Sequence, residues 1–328
     1  MLARMHILVC GGAGYIGSHM ARWLALRGTR VTVLDNLSTG HRAAVQWGEL
    51  IEADLRDASA LDRAFAAHRF DAVMHFCAKS LVAESVADPL AYYESNVGGT
   101  LSLLQAMRRH GVERLVFSST AAVFGHPMTD RIDETHPLQP INPYGATKAM
   151  AERLLADAAA AHGLRSVALR YFNAAGASDD ASIGESHHPE THLVPNVLRA
   201  ALGTGPGLQV FGDDWPTPDG TCIRDYVHVD DLAQAHALAL DYMDAHPGAH
   251  AFNLGNGAGF SVREVIAAAE AASGQAIPFS VQPRRAGDPA VLVAASDLAR
   301  AALGWTPVHN ALAPILESAL RWHRAPTF

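Results

Sequence analysis

A glycine-rich segment near the amino terminus constrains the fold of this chain more than any other feature. A short apolar run of strand-forming residues, 6–10, leads directly into Gly11, Gly14 and Gly17, and residues 15–26 then have a helical pattern. A strand, a glycine loop and a helix in this order form the context in which a loop binds the phosphates of a dinucleotide. The segment therefore predicts a βα unit with an anion-binding turn.

The residues of this loop have separate predicted roles. Gly11 permits the tight turn, Gly14 lets the backbone approach a pyrophosphate, and Gly17 lets the helix pack closely on the strand. The backbone N–H groups at the helix start, at Tyr15 and Ile16, have no partner within the helix and would face the anion. The loop therefore predicts cofactor contacts from all five residues.

An acidic residue follows the second predicted strand. Residues 30–34 form this strand, and Asp35 and Asn36 come directly after it. A carboxylate roughly twenty residues beyond the loop accepts hydrogen bonds from ribose hydroxyls. It would also repel a 2′-phosphate, so these residues predict NAD and not NADP as the cofactor.

Strands and helices alternate along the first half of the chain. Helical stretches separate the predicted strands, which are residues 6–10, 30–34, 50–53, 71–76, 114–117 and 166–170. This alternation predicts a parallel sheet covered by helices on both faces. It weakens after about residue 174. We therefore predict an α/β fold with a Rossmann-type doubly wound parallel sheet, the NAD-binding domain, in residues 1–174. A smaller C-terminal α+β domain, residues 175–328, would bind the substrate, with allowance for segments that cross between the two.

The carboxyl ends of the predicted strands carry further candidate residues. Ligands bind at this edge of a parallel sheet, so residues at successive strand ends should line one crevice. Beyond the loop and Asp35, the candidates are Asp54, Leu55, Ala78, Lys79, Ser118, Thr120, Tyr171 and Asn173.

Tyr144 and Lys148 form a candidate catalytic pair. They lie four residues apart on a predicted helix, so they share one face. A free phenol has a pKa near ~10, and an ammonium group beside it lowers that pKa. Tyr144 is therefore a candidate general base, and the Thr120 hydroxyl would pass a proton between a sugar hydroxyl and Tyr144.

Charge and cysteine content exclude several classes of protein. The formal net charge is -8 and no basic stripe is present, which argues against nucleic acid as a partner. No apolar run is long enough to cross a membrane. The three cysteines are odd in number and far apart, which is typical of reduced thiols in a cytoplasmic protein.

Arginines in the C-terminal loops suit an anionic ligand. Arg224 and the pair Arg284-Arg285 are separated in sequence, and the guanidinium group matches phosphate geometry. The simpler interpretation of such residues is a surface ion pair, for example between Arg224 and Asp225.

Three histidines, His187, His188 and His192, raise the question of a metal site. We expect no metal, on the argument that no cysteine or carboxylate set closes a tetrahedral site around them.

Together these motifs resemble the extended short-chain dehydrogenase/reductases. More specifically, the chain resembles the UDP-glucose 4-epimerase family in three segments: around Phe211, at residues 219–229 and at residues 284–288. The resemblance extends from His6 to about Trp322. The resemblance implies a tightly held NAD that is reduced and reoxidised within one turnover. Tyr144, assisted by Thr120, would take the proton of the sugar 4-hydroxyl. The 4-keto sugar would then rotate to present its other face to the cofactor, while its UDP group stays bound.

The resemblance also implies roles for individual residues. Lys148 would hold the cofactor ribose and, together with the positive charge of the nicotinamide, lower the pKa of Tyr144. Further cofactor contacts would come from Phe76, Ala78, Lys79, Asn96, Ser118 and Tyr171. Substrate contacts, besides Thr120 and Tyr144, would come from Asn173, His192, Leu193, Gln209, Phe211, Arg224, Arg285 and Asp288. Arg224 and Arg285 would bind the pyrophosphate, and family members are commonly dimers, so a homodimer is expected.

Several alternatives stay open at this stage. Val291 stands where some members have a bulky aromatic, so a UDP-N-acetylhexosamine would fit as substrate. A UDP-glucuronate 4-epimerase or a non-catalytic NAD-sensing protein would share most of the motifs. A 4,6-dehydratase is disfavoured, because Ala121 and Ala122 replace its acid–base pair.

Overall fold

Seven parallel strands form one sheet at the centre of the molecule. A computed structural model describes residues 5–285 and 287–328, so residues 1–4, with which the predicted first domain begins, lie outside the described part. The strands are β1 (His6–Cys10), β2 (Arg30–Asp35), β3 (Glu49–Glu52), β4 (Ala72–His75), β5 (Arg114–Thr120), β6 (Arg165–Tyr171) and β11 (Ala249–Leu254). Their spatial order is β3-β2-β1-β4-β5-β6-β11. The predicted doubly wound fold is confirmed, since the order reverses beside β1.

Helices cover both faces of this sheet. The bounds are α1 (Tyr15–Ala25), α2 (Ala58–Ala67), α3 (Val82–Ala87), α4 (Pro89–Tyr92), α5 (Gly99–Arg109), α6 (Pro143–His162), α7 (Leu193–Ala201), α8 (Val229–Ala245), α9 (Val262–Ser273), α10 (Asp297–Leu303) and α11 (Leu312–Arg324). Among the helices that the structure describes, none combines the length and apolar character needed to span a membrane.

The strand β1 shows why the predicted apolar runs became central strands. All five of its residues are buried. Ile7 and Val9 belong to a core cluster shared with α1 and α8, whereas Leu8 and Cys10 belong to one shared with α2, α5 and α6. A strand buried on both faces has a continuous apolar sequence, and successive side chains point to opposite faces.

The helical stretch that leads to β5 has an irregular start. Residues Tyr93–Gly98 form a π-helical segment between α4 and α5. The two glycines Gly98 and Gly99 do not break the helix, because α5 continues directly from this segment. The wider turn leaves Asn96 buried, and π-helical segments often occur at functional sites.

The remaining strands that the structure describes belong to smaller sheets, separate from the central one. They are β7 (Asn173–Ala175), β8 (Leu208–Phe211), β9 (Ile223–Arg224), β10 (Tyr226–His228), β12 (Phe260–Ser261), β13 (Phe279–Gln282) and β14 (Val291–Leu292). The pairs are β7 with β10 and β8 with β13, and β9 lies between β12 and β14. Helices α7, α9 and α11 share a core cluster of their own.

One segment of the predicted second domain belongs to the first. Strand β11 pairs in parallel with β6 from Ala249 to Leu254, and α8 packs in the same core cluster as α1. This is the kind of crossing segment that the sequence interpretation allowed. The division into residues 1–174 and 175–328 itself stays a prediction.

Two buried histidines predict how stability depends on pH. Burial lowers the pKa of His75 to about 3 and that of His236 to about 4. Both groups gain protons at about pH 6.5 when unfolded, so stability falls as the pH drops from 6.5 towards these values, by about 1.4 kcal/mol per pH unit for each histidine. Between pH 6 and 5, we expect the free energy of unfolding of the His236→Leu variant to fall by about 1.4 kcal/mol less than that of the natural chain. Guanidinium unfolding at each pH measures the slope.

The exposed His188 provides the control for this prediction. The His188→Gln variant should keep the slope of the natural chain. Equal slopes for the natural chain and His236→Leu would contradict the prediction.

Candidate active site

The glycine loop joins β1 to the start of α1. Gly11 has a φ of 81°, and Gly14 is the residue that precedes the first turn of α1. A Cβ atom on Gly17 would lie 2.1 Å from the Gly11 carbonyl oxygen, whereas one on Gly14 would meet only that oxygen, at 3.4 Å. The space beside Gly14 and the free N–H groups of the helix, including those of Tyr15 and Ile16, therefore fit a bound pyrophosphate.

Asp35, at the end of β2, holds the glycine loop. Its carboxylate accepts hydrogen bonds from the backbone N–H groups of Ala13, at 3.0 Å, and Leu37, at 2.8 Å. Burial raises the pKa of this carboxyl group. Asp35 therefore joins the end of β2 to the turn that would bind phosphate, in addition to its predicted ribose contact.

Asn36 and Asp54 continue this edge of the site. The Asn36 amide donates to Asp54 at 2.8 Å. Arg56 donates to the same carboxylate and, with Asn36, holds the pKa of Asp54 well below its usual range. The Leu55 side chain is buried in the core, so its predicted cofactor contact would have to come from its backbone.

Lys148 is buried below Tyr144 on α6. Its ammonium group donates to the Ser118 carbonyl oxygen at 2.8 Å and lies over the Phe117 ring, 4.7 Å from the ring centre. Burial lowers the pKa of Lys148 to about 8. The helix that carries both residues starts in a defined way, because the Asn142 side chain accepts from the Gly145 N–H at 2.8 Å.

Burial raises the pKa of Tyr144, because it disfavours the phenolate, and the Thr120 hydroxyl opposes the rise. The lowering of this pKa by Lys148 together with the positive charge of the nicotinamide stays a prediction. Thr120 is the last residue of β5, so the structure brings together Tyr144 and its predicted helper hydroxyl.

Tyr171 and Ser118 are hydrogen-bonded to each other, and Ser118 also contacts Lys148. The Tyr171 hydroxyl is hydrogen-bonded to the Ser118 hydroxyl, while the Ser118 carbonyl holds Lys148. Burial raises the pKa of Tyr171, which suits a hydroxyl that stays protonated. Both residues are therefore placed to orient Lys148.

Asn96 orders the loop that follows β4. Its side chain accepts from the Lys79 N–H at 2.8 Å and donates to the Lys79 carbonyl and to the Thr147 hydroxyl, both at 3.0 Å. The Lys79 ammonium is paired with Glu84 at 2.8 Å. Asn96 thus fixes the backbone next to Ala78. Phe76, at the start of the same loop, packs its ring against His236, with ring centres 4.8 Å apart.

A buried ion pair that the sequence did not reveal supports the catalytic pair. Arg170 donates to both carboxylate oxygens of Glu152, and the Ser119 hydroxyl donates to the same group at 2.5 Å. These contacts join β5, β6 and α6. Glu152 lies four residues after Lys148 on one helix face, which is the signal that sequence reasoning missed.

The predicted anion-binding residues form two neighbouring pairs. Arg224 donates to the Pro289 carbonyl at 3.0 Å and lies 3.7 Å from the Asp288 carboxylate. The Arg285 guanidinium lies over the Phe211 ring, 3.8 Å from its centre. Gln209 lies exposed on the same strand as Phe211.

Asp225 is not the ion-pair partner of Arg224. Its carboxylate accepts from the backbone N–H groups of Asn256, Gly257 and Ala294, so it holds two distant segments of the chain in place. Its carbonyl accepts from the Asn173 side chain at 2.9 Å. Asn173 follows β6 closely and thereby connects the end of the central sheet to the Arg224 region.

His192 is placed differently from the sequence interpretation. It precedes Leu193, the first residue of α7, and its ring contacts Glu185 and Glu190 at 2.8 and 3.0 Å. The expectation that no carboxylate set closes a tetrahedral site near the histidines is wrong, because these two glutamates converge on His187 and His192. The glutamates lie only two and three residues from His187 in sequence, which is the signal that sequence reasoning overlooked.

Comparison with known proteins identifies relatives of nearly the same length. Residues 7–255 match the NAD dependent epimerase/dehydratase family. A UDP-glucose 4-epimerase of Lacticaseibacillus casei is 52% identical over 320 residues, which cover 97% of each chain.

Two solved structures are similar to this fold. A UDP-glucose 4-epimerase from Brucella ovis in complex with NAD has a TM-score of 0.94 and 48% identity, covering 97% of this chain and 98% of that one. One from Bifidobacterium longum in complex with NAD+ and UDP has a TM-score of 0.93 and 38% identity, covering 98% of each. With these relatives, and with a glycine loop and a Tyr144–Lys148 pair at one edge of the sheet, the chain belongs to the NAD dependent epimerase/dehydratase family.

Proposed function

We infer that this chain is a UDP-glucose 4-epimerase that uses NAD to interconvert UDP-galactose and UDP-glucose. The observation that carries the inference is the set of groups at one edge of the sheet: the glycine loop before α1, Thr120 at the end of β5, and Tyr144 on the helix whose buried Lys148 donates to the Ser118 carbonyl of β5 at 2.8 Å. The same activity is in the names of the Lacticaseibacillus casei and Brucella ovis relatives.

NAD is the cofactor that this site fits. The open space at Gly14 and the helix start accept a pyrophosphate, and the Asp35 carboxylate at the end of β2 suits a ribose hydroxyl. When bound, the nicotinamide would take up and return the hydrogen of the sugar C4 position. Both structural relatives described above contain NAD.

Tyr144 and Thr120 would move the proton of the sugar 4-hydroxyl. As the phenolate, which the buried Lys148 ammonium would favour, Tyr144 would accept that proton as C4 is oxidised. As the phenol, it would give the proton back when the 4-keto group is reduced. The Ser118 carbonyl holds Lys148 in place, and the Ser118 hydroxyl is hydrogen-bonded to Tyr171.

Epimerisation requires that UDP stays bound while the sugar turns. Arg224 and Arg285 would hold the pyrophosphate, Asp288 the uridine ribose, and the backbone near Gln209 and Phe211 the uracil. Asn173 would lie near the sugar and phosphates. Leu193, at the start of α7, would contact the substrate by its side chain, and His192 by its backbone.

Assembly and location are proposed with the activity. We propose a homodimer in which α5 and α6 pair with their copies, since Leu101 and Met150 on these helices are more than 40% exposed. Sedimentation velocity measures the mass.

We also propose that the enzyme acts in the cytoplasm, where three cysteines without disulfide partners, Cys10, Cys77 and Cys222, remain reduced.

The direct test follows the sugar during the reaction. Purified protein, with no added NAD, is incubated with UDP-galactose and separately with UDP-N-acetylgalactosamine, and the anomeric protons are followed by NMR. Conversion of the first supports the proposal, and conversion of both identifies a dual-substrate epimerase in which Val291 leaves the pocket open. No conversion of either after adding NAD would contradict the proposal and favour a uronate enzyme or an NAD sensor.

Arg224 provides a prediction for UDP binding. We expect the Arg224→Met variant to bind UDP about tenfold to a hundredfold more weakly, because one charged hydrogen-bond donor to phosphate contributes about 1.5–3 kcal/mol. Calorimetric titration with UDP measures the affinity.

Arg284 is the matched control for Arg224. It donates to Asp214 at 2.7 Å and lies over the Trp215 ring, so its charge is already engaged. The Arg284→Met variant should bind UDP within about twofold of the natural chain. If both variants lose affinity equally, Arg224 has no specific role.

A further inference from the structure

Four ligand-type side chains converge in the segment that leads into α7. Glu185, His187, Glu190 and His192 each direct one nitrogen or oxygen atom into a common space, and these atoms lie within 4.8 Å of one another. The segment is well anchored, because the Trp322 indole N–H donates to the Glu185 carbonyl oxygen at 3.0 Å. The side chains of this cluster have no role in the proposed epimerase chemistry.

The distances in the cluster match a tetrahedral metal site. His192 Nδ1 lies 2.8 Å from Glu185 Oε1 and 3.0 Å from Glu190 Oε1. His187 Nδ1 lies 3.3 Å from Glu185 Oε1 and 3.7 Å from Glu190 Oε2. Zinc bonds of about 2.0–2.2 Å place neighbouring ligand atoms roughly 3.4 Å apart in a tetrahedron. Two of these four separations lie within about 0.3 Å of that value and two are shorter, and all the ligand atoms lie within 4.8 Å of one another, so moderate side-chain shifts would place them around one ion.

The cluster keeps two carboxylates away from water. Both glutamate side chains are at most 5% exposed. Glu190 accepts from the Thr191 and His192 N–H groups, whereas the buried His187 Nδ1 makes no hydrogen bond within the described residues and lies 3.3 Å from Glu185. A metal ion would bind both carboxylates and this nitrogen, which removes the cost of burying them.

The ligand types indicate which cation would bind. Two imidazoles favour zinc and its neighbours in the first transition row over magnesium or calcium, which prefer oxygen ligands throughout. We propose that Glu185, His187, Glu190 and His192 bind one Zn²⁺-type ion. The ion would have a structural role, holding residues 185–192 in the conformation from which α7 begins.

Cobalt titration tests this proposal. The full chain is prepared without a histidine tag, treated with a chelator and titrated with Co²⁺, whose four-coordinate complexes absorb strongly in the visible range. We expect one equivalent per chain, displaced by one equivalent of Zn²⁺, with metal content confirmed by mass spectrometry. The Zn²⁺ form should also have a higher Tm than the metal-free form.

Variants distinguish the cluster from adventitious binding. Glu190→Gln keeps the oxygen that accepts from the Thr191 and His192 N–H groups, so it should fold while binding Co²⁺ more than about a hundredfold more weakly. His187→Gln should have the same effect. His188→Gln, whose side chain is exposed and outside the cluster, should bind as the natural chain does.

Two results would overturn the proposal. Less than one equivalent of bound Co²⁺ in the natural chain would leave the cluster as ion pairs between histidines and glutamates. Equal affinity in the natural chain and a folded Glu190→Gln variant would place the ion elsewhere. Neither result bears on the epimerase activity, which the NMR experiment tests independently.

Discussion

Replacing Tyr144 with phenylalanine is expected to lower kcat for UDP-galactose by about 10²- to 10⁴-fold, the range typical of a lost general acid–base group. The change removes one oxygen and keeps the ring, so the packing at the start of α6 is preserved. UDP affinity should stay within about twofold of that of the natural chain, since the proposed UDP contacts lie in other segments. Turnover is measured by NMR and UDP affinity by calorimetry.

A second tyrosine controls for effects on the fold. Tyr242 on α8 stacks on His246, with ring centres 3.9 Å apart, and belongs to none of the proposed contacts. The Tyr242→Phe variant should keep kcat within about twofold. A Tyr144→Phe variant that retains more than a tenth of the natural kcat would remove Tyr144 from the proton transfer.

Substitution of the loop glycines should separate folding from cofactor binding. In Gly17→Ala the new Cβ would lie 2.1 Å from the Gly11 carbonyl oxygen, a backbone atom, so α1 must move away from the loop. We expect a loss of about 3 kcal/mol in the free energy of unfolding, the upper range for overpacking, together with loss of NAD. Denaturant unfolding and the NAD content of the purified protein measure these effects.

Gly14→Ala should show the opposite combination. Gly14 has a φ of −84° and a ψ of 173°, which alanine adopts readily, and its Cβ would meet only one atom, at 3.4 Å. We expect nearly unchanged stability, but NAD binding weakened at least about tenfold, because the methyl group occupies the space through which the pyrophosphate approaches the backbone.

A third glycine completes the series. A Cβ atom added at Gly207 would point into open space, with no neighbouring atom of the described residues within 4 Å, so Gly207→Ala should change neither property. Normal NAD binding by Gly14→Ala would contradict the assignment of the space beside Gly14 to the pyrophosphate.

The fold was largely predictable because its central strands are buried on both faces. Such strands have uninterrupted apolar sequences, as residues 6–10 do, and their bounds followed closely from composition. The extent of β5 did not follow, because Ser118, Ser119 and Thr120 are polar and yet continue the strand. Pairing with β6 holds these three residues extended, and a single sequence does not display such pairing.

The candidate site was predictable where neighbouring residues define it. The spacing of the glycines and of Tyr144 and Lys148 is local, and the structure places them on the expected elements. The pKa of Tyr144 depends instead on burial, which distant segments create. Asp225 was misjudged for the same reason, since its three N–H donors lie at least thirty residues away in sequence.

The late position of β11 has a consequence for synthesis on the ribosome. Strand β6 lies between β5 and β11, and β11 begins about eighty residues after β6 ends. At roughly 5–20 residues per second, translation leaves one edge of β6 unpaired for about 4–16 s. An open strand edge is a template for aggregation, and flanking charges reduce that risk. Arg165 and Arg170, near the two ends of β6, are charges of this kind.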